Sequence, residues 1–238
     1  MNDFKMLIDI ITLFPEMFTG VFGESIIKRA VDKNILQIRF TQLRDFAFDK
    51  HRQVDDSPFG GGAGMVLKPE PVYRAVRDVL SKSDKNISRK VIITDPSGEI
   101  FTQAKAKELA ELEQIIFVCG HYEGFDARIY DLADELISIG DYVLTGGELP
   151  AMVIVDAVAR MLPNVLGSAE SATTDSFFDG LLGFPQYTRP REFEGKNIPD
   201  VLLSGNHAEI KKWREVQALN LTRTRRPDLL NSIRNEEL

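Results

Sequence analysis

The chain has little of what builds a metal or disulfide site. Its 238 residues include one cysteine, Cys119, and three scattered histidines, His51, His121 and His207. A lone cysteine forms no internal disulfide, which excludes a disulfide-stapled scaffold and fits a reducing compartment. Ligands this sparse exclude a zinc site of ordinary spacing. No run of about 18 apolar residues suggests a membrane span. Asp9 interrupts the first apolar run and no small-residue cleavage site follows it, so a cytoplasmic protein is expected. There is no excess of positive charge either. A net charge of −7 excludes coating of nucleic acid by bulk charge, though not a local basic patch. The GxGxxG spacing of a nicotinamide dehydrogenase and the GK[ST] ending of a phosphate loop are both missing. What is present is ordinary for a globular protein with a sizeable core, in one large domain or two smaller ones: 43% hydrophobic and 27% charged residues.

Periodicity predicts a succession of strands and helices. Residues 7–13 read as a buried strand, Pro15 opens a helix, 24–32 form another, and 36–42 alternate as a half-exposed strand. From Pro69 onward the pattern is regular. Helices are expected at 69–81, 102–112, 126–133 and 148–162, with strands at 90–95, 115–119 and 136–139. Such alternation predicts an α/β fold with a parallel sheet covered on both faces. The helix at 148–162 is apolar nearly all round and must be covered on every side, which suggests a homodimer interface. Its only charges besides Glu148 are Asp156 and Arg160, one turn apart. They read either as a local ion pair or as a positioned guanidinium.

Candidate ligand-binding chemistry lies at strand ends. The segments 94–98 (TDPSG), 120–124 (GHYEG) and 139–150 (IGDYVLTGGELP) each follow a predicted strand. The last reads by itself as either a tight turn or a ligand wall, because its glycines permit close backbone approach. Three such loops beyond the carboxyl ends of successive strands predict a pocket for a small polar molecule. The segment 45–64 carries Lys50, His51, Arg52, Asp55 and Asp56 before a glycine-rich run at 60–64. It is either a flexible linker or a loop that binds something anionic. Residues 164–190 have no regular period and read as a functional loop with apolar anchors. Between 205 and 227 six basic residues stand against two acidic ones around Trp213. That stretch is therefore +4 while the rest of the chain is −11. It is a solvated helix face or a grip for phosphates.

Several blocks resemble one family: LFPEMF at 13–18, HRQVDD at 51–56, CGHYEG at 119–124, 138–152, SATTDSF at 171–177, YTRP at 187–190 and LSGNHAEI at 203–210. These resemble the bacterial tRNA (guanine-N1)-methyltransferases, the TrmD family, over nearly the whole chain. The resemblance implies a SPOUT-type parallel sheet with a deep trefoil knot, which general rules of chain topology argue against. It also implies a small helical C-terminal domain. The implied boundaries are a SPOUT S-adenosylmethionine-binding domain at 1–163, an interdomain linker and active-site loop at 164–190, and a tRNA-binding domain at 191–238. The implied activity is transfer of a methyl group from S-adenosylmethionine to N1 of guanosine 37 in tRNA, by a homodimer. The alternatives are another knotted RNA methyltransferase, of the ribose 2′-O type, or an inactive RNA-binding module.

Carried over by motif, the cofactor residues are Pro96, Gly120, Tyr122, Glu123, Gly124, Ile139, Gly140, Asp141, Tyr142, Val143, Leu144, Gly146, Gly147 and Pro150. Asp175 matches the family's general base, expected to complete the site from the other subunit, and Arg160 its catalytic arginine. Arg52, Asp56, Ser171, Lys211, Lys212 and Arg214 are the expected tRNA contacts. The family also uses Mg²⁺, for which no dedicated protein cage is legible. Ala63, Thr174, Gln186 and the TDPS loop, where a Ser-Pro type is usual, depart from the family pattern. They bear on loop contacts and leave Asp175 and Arg160 in place.

Overall fold

A computed structural model describes residues 5–167 and 172–230. The chain divides into two compact units, Met1–Gly167 and Ser168–Leu238.

The first unit is built on a five-stranded parallel sheet of order β2-β1-β6-β5-β7. Its strands are β1 (Met6–Thr12), β2 (Leu36–Gln42), β5 (Arg89–Ile100), β6 (Gln114–Cys119) and β7 (Glu135–Ser138). The short β3 (Asp55–Asp56) and β4 (Val66–Leu67) form a separate antiparallel pair. Both faces of the large sheet are covered, as continuous apolar strands require. Alternate side chains go to opposite sides: Ile92, Ile115 and Phe117 join one cluster, while Val91, Ile93, Ile116 and Val118 join the other. Residues of the short α1 (Thr19–Phe22), α2 (Ser25–Asp32), α4 (Gln103–Leu109) and α5 (Glu148–Ala159) contribute to the first cluster. Residues of α3 (Pro69–Ser81) and the 3-10 turns at Leu43–Phe46 and Ala127–Leu132 contribute to the second.

Local chemistry sets the element ends. Pro69 starts α3, where its missing N–H costs nothing. Thr102 caps α4 by accepting from Lys105 N at 3.3 Å. One charge lies inside β1: Asp9 is 2% exposed, and is satisfied by a two-pronged pairing with Arg39 of β2 at 2.8 Å and by Gln114 Nε2 at 2.7 Å. A buried carboxylate persists only with partners of this kind.

Two elements differ from the sequence expectation. The helix expected over 126–133 is a 3-10 turn, Ala127–Leu132, capped by Asp126, which accepts from Arg128 N. Six residues are too few for a stable α-helix without strong packing. The strand expected to stop at residue 95 continues to Ile100. β5 pairs with β7 at Thr94↔Ile137, leaves it, and returns at Glu99↔Ile137, so residues 95–98 bulge out between the two pairings.

α5 has two sides. Ala151, Met152, Ile154, Val155, Val158 and Ala159 are buried in the core, whereas Leu149 and Val153, one turn apart, are nearly half exposed. Among the described residues no helix is long and apolar enough to cross a membrane.

The second unit contains a small hairpin, β8 (Glu192–Phe193) with β9 (Lys196–Asn197), and the long α6 (His207–Arg225). Asn206 caps α6 by accepting from Ala208 N and Glu209 N. The irregular stretch before it is tied down: Leu182 N donates to Thr222 Oγ1 of α6 at 3.0 Å, and Gly183 N to Ser176 Oγ at 2.8 Å.

Candidate active site

Because β5, β6 and β7 are parallel, the loops at their carboxyl ends converge on one edge of the sheet. The bulge at 95–98, the loop 120–124 and the stretch 139–147 enclose a single cavity. All the residues assigned to the cofactor from the resemblance line it, except Asp141, which is exposed between the lining residues Gly140 and Tyr142. Thr94, Asp95, His121, Phe125, Ile137, Ser138 and Thr145 line it as well. Sequence reasoning did not single these out. They sit inside or beside the loops it chose, but their residue types carry no distinctive signal.

Two hydrogen bonds at Gly147 hold the walls together. Gly147 N donates to Gly120 O at 2.7 Å, and Thr94 Oγ1 donates to Gly147 O at 3.2 Å. His121 and Gly146 form an isolated bridge directly alongside. Glycine is required here for space. A methyl group at Gly147 would lie 2.9 Å from Gly120 N and 3.0 Å from Cys119 Cα, and one at Gly120 would run into the Phe125 ring. Behind this seam is the buried Glu148, in the first turn of α5, where a carboxylate complements the helix dipole. Its Oε1 accepts from Thr12 Oγ1 at 2.7 Å, which ties α5 to the end of β1. Burial, with the nearby charge of Glu148, pushes the Cys119 thiol well up, so this sulfur is neutral and is no nucleophile.

The cavity has a clear electrostatic character. Its lining includes two carboxylates, Asp95 and Glu123, and, among the described residues, no lysine or arginine. It is therefore suited to a cation. The glycine-rich run reaches this site: Glu123 N donates to Met65 O, Leu67 N to Gly124 O, and Gly64 lies so close to the Glu123 side chain that a methyl group there would overlap it. The segment 45–64 thus ends against a cavity wall, which a freely moving linker would not do. Arg52 is exposed with its guanidinium 3.2 Å from Asp45 Oδ1, and Asp56, also exposed, accepts from Ser57 N.

Such a pocket, built from the strand-end loops of a parallel sheet, is common to many enzymes; which one this is follows from the comparisons. The family model described as tRNA (Guanine-1)-methyltransferase TrmD matches residues 6–232. The chain belongs to this family. It is 58% identical to the tRNA (guanine-N(1)-)-methyltransferase of Staphylococcus carnosus over 226 residues, 94% of this chain and 91% of that protein. It is also 58% identical to that of Shouchella clausii (94% and 91%), and 56% identical to that of Bacillus cereus (94% and 92%).

The residues matched to the family's chemistry fall in both units. Arg160 follows the last turn of α5 in the first unit. Asp175 is in the second, on a cavity it shares with Asp179, Lys211 and Arg214. The Arg214 guanidinium stands 4.8 Å over the Phe184 ring, and Lys211 reaches toward Glu215. Lys212 is exposed and does not line this cavity, and Ser171 lies outside the described residues. Trp213 packs near Tyr187, with ring centroids 6.3 Å apart. Among the described residues no group of three His, Cys, Asp or Glu side chains is placed to hold a metal ion.

Proposed function

We propose that this protein transfers the methyl group of S-adenosylmethionine to N1 of guanosine 37 in tRNA. Family membership carries the reading, and the cavity fits the donor. A sulfonium and an ammonium are both cations, and the wall presents Asp95 and Glu123 with no lysine or arginine among the described residues that line it. The glycines at 120, 146 and 147 leave the space a side chain would fill. When bound, this cofactor supplies an electrophilic methyl group that needs alignment more than activation.

The protein's task is the guanine. N1 carries a proton, so its lone pair must be freed before the N–CH₃ bond can form. Asp175 is the general base that takes this proton. Loss of the proton shifts negative charge toward O6, where the Arg160 guanidinium stabilises it. The strand-end loops would hold S-adenosylmethionine, which would supply the methyl group to the freed N1 lone pair and leave as the neutral thioether. The basic residues of α6, with Lys211, Lys212 and Arg214 near its start, would hold tRNA phosphates. Arg52, Asp56 and Ser171 are assigned to the same substrate. No protein ligand set is assigned to Mg²⁺.

Two further features follow from the same reading. The protein acts as a homodimer, supported by the half-exposed Leu149 and Val153 on a helix otherwise committed to the core. The fold is the family's trefoil knot. The reading is supported by the way 139–147 lies against the end of β6, where Gly147 N donates to Gly120 O. The expected compartment is the cytoplasm, where the tRNA substrate resides.

The experiment is incubation with labelled S-adenosylmethionine and tRNA transcripts carrying G or A at position 37. Label should enter the G transcript alone; equal labelling of both would overturn the reading.

A further inference from the structure

We propose that Asp95 is a positioning residue which, through Tyr130, fixes the shape of one cofactor wall and thereby sets affinity for S-adenosylmethionine without touching the methyl transfer itself. The proposal rests on the reading of the strand-end cavity as the cofactor site.

The bulge at 95–98 is an excursion from a strand, and something has to hold it open. At its entry the Asp95 carboxylate does so with both oxygens. Oδ1 accepts from Ser97 N at 2.9 Å and Ser97 Oγ at 2.6 Å, while Oδ2 accepts from Tyr130 OH at 2.7 Å. At its exit, Gly98 lies against the Leu136 and Ile137 backbone with no room for a side chain, and Glu99 pairs with Lys105 at 3.2 Å. Tyr130 comes from the 3-10 turn between β6 and β7. Its ring meets Phe125 edge-on at 6.1 Å, and Phe125 fills the space over Gly120. One continuous set of contacts therefore runs from the Asp95 carboxylate to the Gly120 loop, joining two of the three walls.

The charge state suits the task. Burial by itself would raise the Asp95 carboxyl, but the hydrogen bonds from Ser97 and Tyr130 outweigh it and hold it below the ordinary range. Burial and the bond to Asp95 push the Tyr130 phenol up, so it remains a donor. A side chain with a single oxygen could not hold Ser97 and Tyr130 together as the two carboxylate oxygens do. Asp95, Ser97 and Tyr130 thus form one clamp.

The test compares the full-length protein with Asp95→Asn, Tyr130→Phe and the double variant. KM for S-adenosylmethionine and kcat are measured with a saturating tRNA transcript, and cofactor binding by calorimetry. Each single change removes a hydrogen bond to a charged group, so KM should rise about tenfold while kcat stays within about twofold. The two residues share one interaction, so the double variant should be little worse than the worse single. A KM unchanged in both singles, a kcat that falls at constant KM, or effects that simply multiply would each overturn the proposal. Should Asp95→Asn fail to fold, Tyr130→Phe, which deletes a single oxygen, decides the outcome. A wild-type protein that does not bind S-adenosylmethionine would instead overturn the function on which the proposal rests.

Discussion

Gly147→Ala probes the seam between two walls of the strand-end cavity with a single methyl group. Gly147 has a φ of −81°, which alanine adopts freely, so the substitution is a test of space alone. The added carbon would lie 2.9 Å from Gly120 N and 3.0 Å from Cys119 Cα, and would overlap Thr94 Oγ1. Two of these neighbours are backbone, and Thr94 Oγ1 can turn away only by giving up its bond to Gly147 O, so the walls must part. Overpacking of this kind costs about 1–3 kcal/mol. Parting also strains the Gly147 N to Gly120 O bond of 2.7 Å and the Thr94 Oγ1 to Gly147 O bond of 3.2 Å, each worth about 1 kcal/mol. A total of about 3–5 kcal/mol corresponds to a fall in Tm of about 6–20 °C in a chain of this size. The assay is thermal unfolding followed by titration with S-adenosylmethionine, with Gly20→Ala as control. Gly20 lies in α1 with nothing within 4 Å of the position a methyl would take, so that change should be neutral or slightly stabilising. Equal Tm values and equal cofactor affinity for the two variants would refute the steric argument.

Three other outcomes are expected. Asp175→Asn should keep cofactor binding and lose about 10²–10⁴ in kcat, measured by single-turnover methylation; wild-type turnover would remove Asp175 as the base. Val153→Asp should convert a dimer into a monomer in sedimentation at micromolar concentration, and a monomeric wild type would contradict the dimer. The third concerns acid. Hydrogen bonds from Lys105 and then Lys90 hold the Glu108 carboxyl at about 2 against an ordinary 4.5. Because the folded value is depressed, the stabilisation is complete above 4.5 and is lost as pH falls toward 2. The Tm advantage of wild type over Lys105→Met should therefore shrink across that window, and an advantage independent of pH would count against the network.

Where the sequence was legible, local rules sufficed. The start of α3 follows from Pro69, and the extent of β2 from the alternation of Leu36, Ile38 and Phe40. The continuation of β5 to Ile100 was not legible. Asp95-Pro96 reads as the end of a strand, and what brings the strand back is long-range: Gly98 against Ile137, and Glu99 with Lys105. The three strand-end loops are legible through their glycines, whose necessity the structure locates at Gly98, Gly120, Gly146 and Gly147. Asp95 and His121 were passed over within those same loops, because an aspartate after a strand or a histidine after a glycine is unremarkable until its neighbours are known. Glu148 is legible as a carboxylate suited to a helix N-terminus, but its partner Thr12, 136 residues away in the chain, is not.

The central claim is that the methyl group goes to a ring nitrogen of one guanosine. The most direct measurement is mass analysis of nucleosides digested from a G37 tRNA transcript after reaction with S-adenosylmethionine. N1-methylguanosine at position 37 is the expected product. A methyl group on the ribose 2′-oxygen, or no transfer by a folded protein that binds the cofactor, would contradict the account.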